Sequence, residues 1–257
     1  MARELGWIRQ FQAPRSENRP PLLIFPHAGA GASAYRVFAK TLGEHFDAVV
    51  FQYPGRQDRA REAAAETLPE IAAGAFAAFL ESPHHTGAPI TIFGHSMGAV
   101  IAFEFARLAE AAGVPVRLLA ASAAAAPALI ADLPPHPQED EALLDHMGAL
   151  NGTGADVLAS RDVLRMALPV LKADYRAFDA YACAADIAVA APILVLGGQD
   201  DEFVAPRALY AWEAHTRAGI QVTLFDGGHF YLNEHVAGIA ELLVSAVPDA
   251  REASTFA

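Results

Sequence analysis

The sequence predicts a doubly wound α/β fold, and two features carry that expectation. Short apolar runs rich in Leu, Ile, Val and Phe alternate with longer stretches of helical period. The runs are apolar throughout, not at every second residue, as strands buried on both faces read. Such strands belong to a mostly parallel sheet with helices packed on either side. A chain of 257 residues, 53% apolar, is long enough to bury the core that this sheet needs.

In chain order, the sequence places strands at residues 22–25, 48–52, 90–93, 117–122, 193–197 and 221–225, with 7–11 as a further candidate. Helices are expected at 35–42, 68–80, 97–112, 207–216 and 233–245. From about 128 to 185 the alternation stops. No strand reads there, while 139–150, 155–158 and 162–181 have helical patterns. Pro134, Pro135 and Pro137 stand at the start of this region, and Asn151-Gly152-Thr153-Gly154 breaks its middle. About sixty residues between two strands exceed an ordinary crossover. The alternatives are an elaboration that only adds core and a lid over a site at the strand ends; the lid is the expected one. Residues 1–257 are expected to form one domain that includes it.

Composition narrows the function. Thirty acidic against 18 basic residues give a net charge of −12, and Lys40 and Lys172 are the only lysines. Nucleic-acid binding needs concentrated positive charge, so no nucleic-acid partner is expected. Cys183 is the single cysteine, which excludes an internal disulfide and a cysteine-based zinc site. Residues 1–20 are polar and show no secretory signal, and every apolar run falls short of the ~18 residues that span a bilayer. A cytoplasmic protein without a membrane partner is the expectation.

Gly94-His95-Ser96-Met97-Gly98 carries the chemistry. It follows the 90–93 strand directly and opens the 97–112 helix, the setting in which G-x-S-x-G forms a nucleophile elbow. The turn is tight enough that a bulky residue at either glycine would clash, and it lifts the serine oxygen above the sheet edge. The helix behind it points its positive end at developing negative charge. The fold expectation thereby sharpens to the α/β-hydrolase fold, a mostly parallel doubly wound sheet with a helical lid insertion.

That fold supplies an acid and then a histidine after the serine. The 193–197 strand runs into Gly198-Gln199-Asp200-Asp201-Glu202-Phe203-Val204, and the last strand into Asp226-Gly227-Gly228-His229-Phe230. His229 is therefore the expected base for Ser96, oriented by Asp201 or Asp200, with Glu202 a third choice. His84 and His85 match no metal spacing, and His45, His136, His146, His215 and His235 read as surface residues. His95 is assigned to packing, and nothing near Cys183 in sequence activates it. Oxyanion donors are expected from the Met97 N–H and from the loop Pro26-His27-Ala28-Gly29-Ala30-Gly31-Ala32-Ser33, where Ala28 N–H is the choice. A dinucleotide loop would need glycine at Ala34, and no Gly-Lys-Ser/Thr follows.

Pro26-His27-Ala28-Gly29, Gln52-Tyr53-Pro54-Gly55-Arg56, the elbow and Gly227-Gly228-His229-Phe230-Tyr231-Leu232, in this order, resemble the type II thioesterases. These are editing hydrolases that accompany polyketide synthases and nonribosomal peptide synthetases. The resemblance runs from about Pro21 to Val244 and includes Leu168-Pro169-Val170-Leu171-Lys172-Ala173-Asp174, which is similar to a family lid helix. The family's Gly-x-x-Asp-x-x-Val pattern falls on Asp201, which the resemblance makes the acid. Two departures stand out: Ala30 replaces a common second glycine, and Ala123-Ala124-Ala125-Ala126 replaces a stretch often polar or basic. The resemblance implies substrates held as acyl thioesters on the phosphopantetheine arm of acyl or peptidyl carrier domains, with no cofactor or metal.

Thioester cleavage suits the residues independently. A thiol leaving group with a pKa of about 8.5 departs with little protonation, so the barrier lies mainly in oxyanion formation. Removal of stalled acyl groups by a free-standing monomer is the expected role, since the chain is short and has its own Met1. The alternatives are a product-releasing thioesterase, a general serine carboxylesterase and a catalytically silent scaffold. Carrier domains are acidic, so docking on a chain of this charge would need a local basic patch. The candidates are Arg161, Arg165, Lys172 and Arg176, or Arg56, Arg59 and Arg61.

Overall fold

Each of the six apolar runs becomes a strand, and their shared apolar character puts them side by side. The computed structural model describes residues 6–12, 19–150 and 161–246. The strands are β1 (Ile8–Arg9), β2 (Pro21–Phe25), β3 (Asp47–Phe51), β4 (Ile90–His95), β5 (Val116–Ser122), β6 (Ile193–Gly198) and β7 (Ile220–Phe225). They form one sheet in the order β1-β3-β2-β4-β5-β6-β7. All neighbours are parallel except β1, which pairs antiparallel with β3 through Ile8–Phe51 and Arg9–Val50. The 7–11 candidate thus shrinks to two paired residues. β4 outruns its apolar run, because Gly94 and His95 continue the ladder with Ala121 and Ser122.

Alternation along the strands sorts their side chains into two cores. Leu23, Phe25, Val49, Phe51 and Ile92 face α2 (Leu68–Leu80) and α3 (Met97–Ala111), where Phe79 and Phe105 join them. Leu22, Ile24, Val50 and Phe93 face α1 (Arg36–Leu42) and a C-terminal helix (Val236–Ser245), meeting Phe38, Leu42, Ile239 and Leu243. Strand β7 lies at the edge and is partly exposed, which limits the two-faced burial rule to the interior strands. Helix α2 begins where its sequence says: Thr67 Oγ1 accepts from the Glu70 N–H, and the Glu70 carboxylate accepts from the Thr67 N–H. The 207–216 and 233–245 helices are each divided. Pro206–Tyr210 passes into a 3-10 turn at Ala211–His215, and a 3-10 turn at Tyr231–Asn233 precedes Val236–Ser245. Among the described residues no helix is long and apolar enough to cross a membrane.

The helical region lies between β5 and β6. It contains α4 (Asp140–Leu150) and α5 (Arg161–Asp179), the latter with Pro169 in its interior. The 155–158 helix lies outside the described residues. Leu143, Leu144 and Met147 of α4 share a core with Leu168, Leu171 and Tyr175 of α5. His215, expected at the surface, is fully buried. Its Nδ1–H donates to the Ile187 carbonyl at 2.7 Å, while Nε2 accepts from the Ala128 N–H at 3.2 Å. A neutral imidazole therefore joins the two flanks of the insertion, a role that no local sequence pattern announces.

Where β4, α3 and β2 converge, backbones touch. A Cβ on Gly98 would stand 2.1 Å from the Phe25 carbonyl oxygen, and one on Gly94 would stand 2.2 Å from that of Gly98. Both obstacles are backbone and cannot swing aside. Gly98→Ala is expected to destabilise the fold by about 3 kcal/mol, lowering Tm by roughly 6–12 °C in thermal unfolding.

Candidate active site

Ser96 joins β4 to α3 with φ 55° and ψ −125°, a left-handed conformation that an L side chain rarely adopts. Its N–H donates to the Ser122 carbonyl at 2.7 Å, tying the turn to the end of β5. Ala123, the residue after β5, is left-handed too, with φ 48°. Two adjacent strand ends are thus strained at one edge of the sheet, and both residues line the same cavity.

The acid and the histidine arrive at that edge from β6 and β7. Asp201 Oδ2 accepts from His229 Nδ1–H at 2.8 Å, and the Asp201 side chain is 1% exposed. Its other oxygen, Oδ1, accepts from the N–H groups of Phe203 and Val204 at 2.9 and 3.2 Å. Both carboxylate oxygens are thereby fixed, and His229 Nε2 is left for the cavity that His229 shares with Ser96. Asp200 and Glu202 are exposed. The pairing with His229 falls to Asp201.

Four N–H groups of the loop after β2 are bonded. The His27 N–H donates to Tyr35 Oη at 3.3 Å, that of Gly29 to Asp174 Oδ2 at 2.7 Å and that of Ala30 to the His27 carbonyl at 3.2 Å. Tyr53 Oη holds the Pro26 carbonyl at 3.1 Å, and Gln52 Oε1 accepts from the Ala32 N–H at 2.6 Å. Ala28 N–H has no partner among the described residues. It and the Met97 N–H at the start of α3 are the two donors that the sequence nominates.

Asp174, which this loop depends on, lies on α5 and also pairs with Arg56 at 2.6 Å; both side chains are buried. Burial pushes the Asp174 carboxyl above the ordinary carboxylate value, against the pull of Arg56 and the Gly29 N–H. The sequence expected Arg56 and Arg59 as solvated docking cations, and the structure corrects this. Arg59 is buried as well, donating to the Gln52 carbonyl and pairing with Glu62. Arg61 and Arg176 are exposed, and Lys172 pairs with Asp140 at 2.5 Å.

A cavity of about 300 Å³ opens at Ser96 and His229. Its walls come from Ala123, Ala124 and Ala125 after β5, from Leu133, Pro134, Pro135, His136 and Pro137, from His146 and Leu150 of α4, from Tyr175 and Phe178 of α5, and from Phe203 and Val204. The insertion therefore roofs the site. Among the described residues no three His, Cys, Asp or Glu side chains are grouped to hold a metal ion.

The thioesterase domain family matches residues 20–246. The chain belongs to that family. Its fold is the α/β-hydrolase fold, and thioesterases of this fold are thiolester hydrolases. The chain is 36% identical to the thioesterase PikA5 of Streptomyces venezuelae over 253 residues, covering 95% of this chain and 89% of that one. It is 41% identical over 242 residues to the phenyloxazoline synthase MbtB of Mycobacterium tuberculosis, covering 94% of this chain and 17% of that protein. The chain therefore spans under a fifth of the length of that synthase. In three dimensions it is similar to the type II thioesterase BorB from the borrelidin biosynthetic cluster. The TM-score is 0.82 at 37% identity, with 94% of this chain and 97% of that chain covered.

Around the site of this thioesterase-family chain, histidines are kept neutral. His95 is fully buried with Nδ1 on Ser122 Oγ at 2.8 Å, and Ser122 bonds in turn to Tyr231 Oη at 2.6 Å. Burial and the neighbouring His229 hold His95 well below the usual histidine value. His27, bonded through Nδ1 to Tyr35 Oη, is lowered to about 3, mainly by burial. His146, expected at the surface, is half-buried in the cavity wall and lowered to about 4 by burial and the nearby His136. These groups bind protons near pH 6.5 when unfolded but not when folded. Stability is therefore full above about pH 6.5 and falls as the pH drops from there toward 4. Tm measured between pH 7 and 4 should decline, and His146→Gln should flatten the slope by removing one of the linked protons.

Proposed function

We propose that this chain hydrolyses acyl thioesters presented on the phosphopantetheine arm of carrier domains, clearing stalled acyl groups from a polyketide or nonribosomal peptide synthase. The observation that carries the reading is the Asp201–His229 hydrogen bond of 2.8 Å, set behind a left-handed Ser96 on a cavity shared with His229. His229 Nε2 takes the Ser96 Oγ proton as the oxygen attacks the thioester carbonyl, and Asp201 stabilises the imidazolium. Ala28 and Met97 N–H groups receive the oxyanion. Collapse expels the thiolate, which takes the proton back from His229, and leaves an acyl-Ser96 ester and a neutral imidazole. Water activated by His229 attacks that ester and frees the acid and the serine. The residues need no metal or cofactor for these steps. Helices α4 and α5 act as the lid over the acyl group, and the likeness to the type II thioesterase BorB supports the editing role.

The test is thiol release from acetyl- and longer acyl-carrier proteins, alongside matched oxygen esters. Thioesters should be cleaved well ahead of oxygen esters, and Ser96→Ala should lower kcat by roughly 10⁴-fold or more. Faster ester cleavage would make the chain a carboxylesterase. Absence of turnover with an unlabelled Ser96 in fluorophosphonate treatment would make it a silent scaffold.

The oxyanion assignment has its own test at Asp174. Asp174→Asn leaves Arg56 buried without its charge partner and loosens the Gly29 end of the loop. Loss of one partner from a buried pair is expected to cost about 3 kcal/mol in urea unfolding. Displacement of Ala28 N–H should lower kcat by about tenfold and leave KM nearly unchanged, because the donor acts on the transition state.

A further inference from the structure

The acyl cavity holds a second Asp–His pair. His136 lines it from the proline-rich segment before α4, and Asp179 ends α5. His136 Nδ1–H donates to Asp179 Oδ1 at 2.5 Å, and the His136 backbone N–H donates to Asp179 Oδ2 at 2.9 Å. The imidazole stacks on Tyr175 with centroids 3.8 Å apart and planes 9° apart, and Phe178 meets it edge-on. The ring is thus oriented by a carboxylate at one edge and an aromatic at one face. With Nδ1 committed, Nε2 is its remaining polar atom. It has no partner among the described residues and is not among the sealed, unpartnered atoms.

His146 stands edge-on to His136 at 5.4 Å and lines the same cavity. Held neutral, it carries one N–H donor and one acceptor nitrogen. Two imidazoles in an otherwise largely apolar wall therefore offer a complementary acceptor and donor. An alkyl chain would leave both facing hydrocarbon, which disfavours it, whereas a hydroxyl donates and accepts at once.

We propose that His136 and His146 form a specificity subsite for acyl chains that carry a hydroxyl group beyond the thioester carbonyl. The proposal rests on the thioesterase reading above and adds the substrate class. Asp179 acts as the positioning residue that fixes the His136 tautomer and ring. A purely structural purpose, in which His136 offsets a carboxylate at the unfavourable C-terminal end of α5, accounts for the pairing. It does not account for a second, neutral imidazole beside it in the cavity wall.

The experiment compares hexanoyl N-acetylcysteamine thioester with its 3-, 4- and 5-hydroxy counterparts, using wild type, Ser96→Ala and His136→Phe. Wild type should prefer at least one hydroxylated chain by about 5- to 10-fold in kcat/KM. His136→Phe keeps an aromatic ring against Tyr175 and should bring that ratio to about one. The ratio cancels any change in overall rate. No preference in wild type overturns the proposal, and so does a His136→Phe enzyme that slows on every chain with the ratio intact. Should His136→Phe not fold, Kd values of Ser96→Ala for the matched thioether analogues decide the matter, with tighter binding of a hydroxylated analogue expected and equal binding overturning it. Absence of Ser96-dependent cleavage of every thioester overturns the thioesterase reading and the subsite together. Wild-type cleavage without preference overturns the subsite alone.

Discussion

The contact on which the site depends is the crossing of three backbones at Gly94, Gly98 and Phe25. The Gly98 Cα lies so close to the Phe25 carbonyl that no side chain fits between them. That closeness places the end of β2, and hence the loop carrying Ala28, directly against the start of α3, which carries Met97. Ser96 is caught at the corner in a left-handed conformation that costs on the order of 1–3 kcal/mol. Burial of α3 offsets the strain: Val100, Ile101, Phe103 and Phe105 are fully buried just beyond the turn. The strain and the packing that opposes it are parts of one element, so the serine cannot relax without unseating the central helix.

The features legible in the sequence are those encoded locally. Apolar runs mark the interior strands because each is buried on both faces, and the Thr67–Glu70 capping box places α2 to the residue. The elbow is legible because a tight turn leaves a fixed spacing of small residues. Asp201 and Asp200 stand adjacent, and resemblance together with the Asp201 turn separates them, whereas composition does not. Long-range pairing is invisible in this sense. Arg56 and Asp174 lie 118 residues apart, and nothing around either shows that they meet beside the loop after β2. His215 and His136 read as surface residues for the same reason: their partners Ala128 and Asp179 come from distant segments.

Partners also decide what each histidine can do. His27, His95 and His229 form a chain of ring contacts, His27–His95 at 5.8 Å and His95–His229 at 5.3 Å. His27 and His95 bond to hydroxyls, Tyr35 and Ser122, which give an imidazolium little support. His229 alone of the three bonds to a carboxylate. Of the rings in this cluster, His229 is the one whose partner would balance the charge of an added proton. Selection among neighbouring imidazoles is made by the second atom each one touches.

The buried Arg56–Asp174 pair follows the same logic at larger scale. An apolar pair of similar volume would be at least as stable, since burying two charges costs as much as their attraction returns. An apolar side chain at 174 would nevertheless leave the Gly29 N–H without its acceptor. Asp174 occupies that donor and, being on α5, makes the position of the insertion and the shape of the loop after β2 a single variable. Arg56 Nε and Nη1 are buried without partners among the described residues, so the guanidinium is held by the Nη2–Asp174 bond and by the Tyr53 ring beneath it at 5.0 Å. A shift of α5 away from the sheet would expose a buried charge and unlock Gly29 at once. The roof over the cavity and the conformation of the loop after β2 are consequently set together, through one carboxylate.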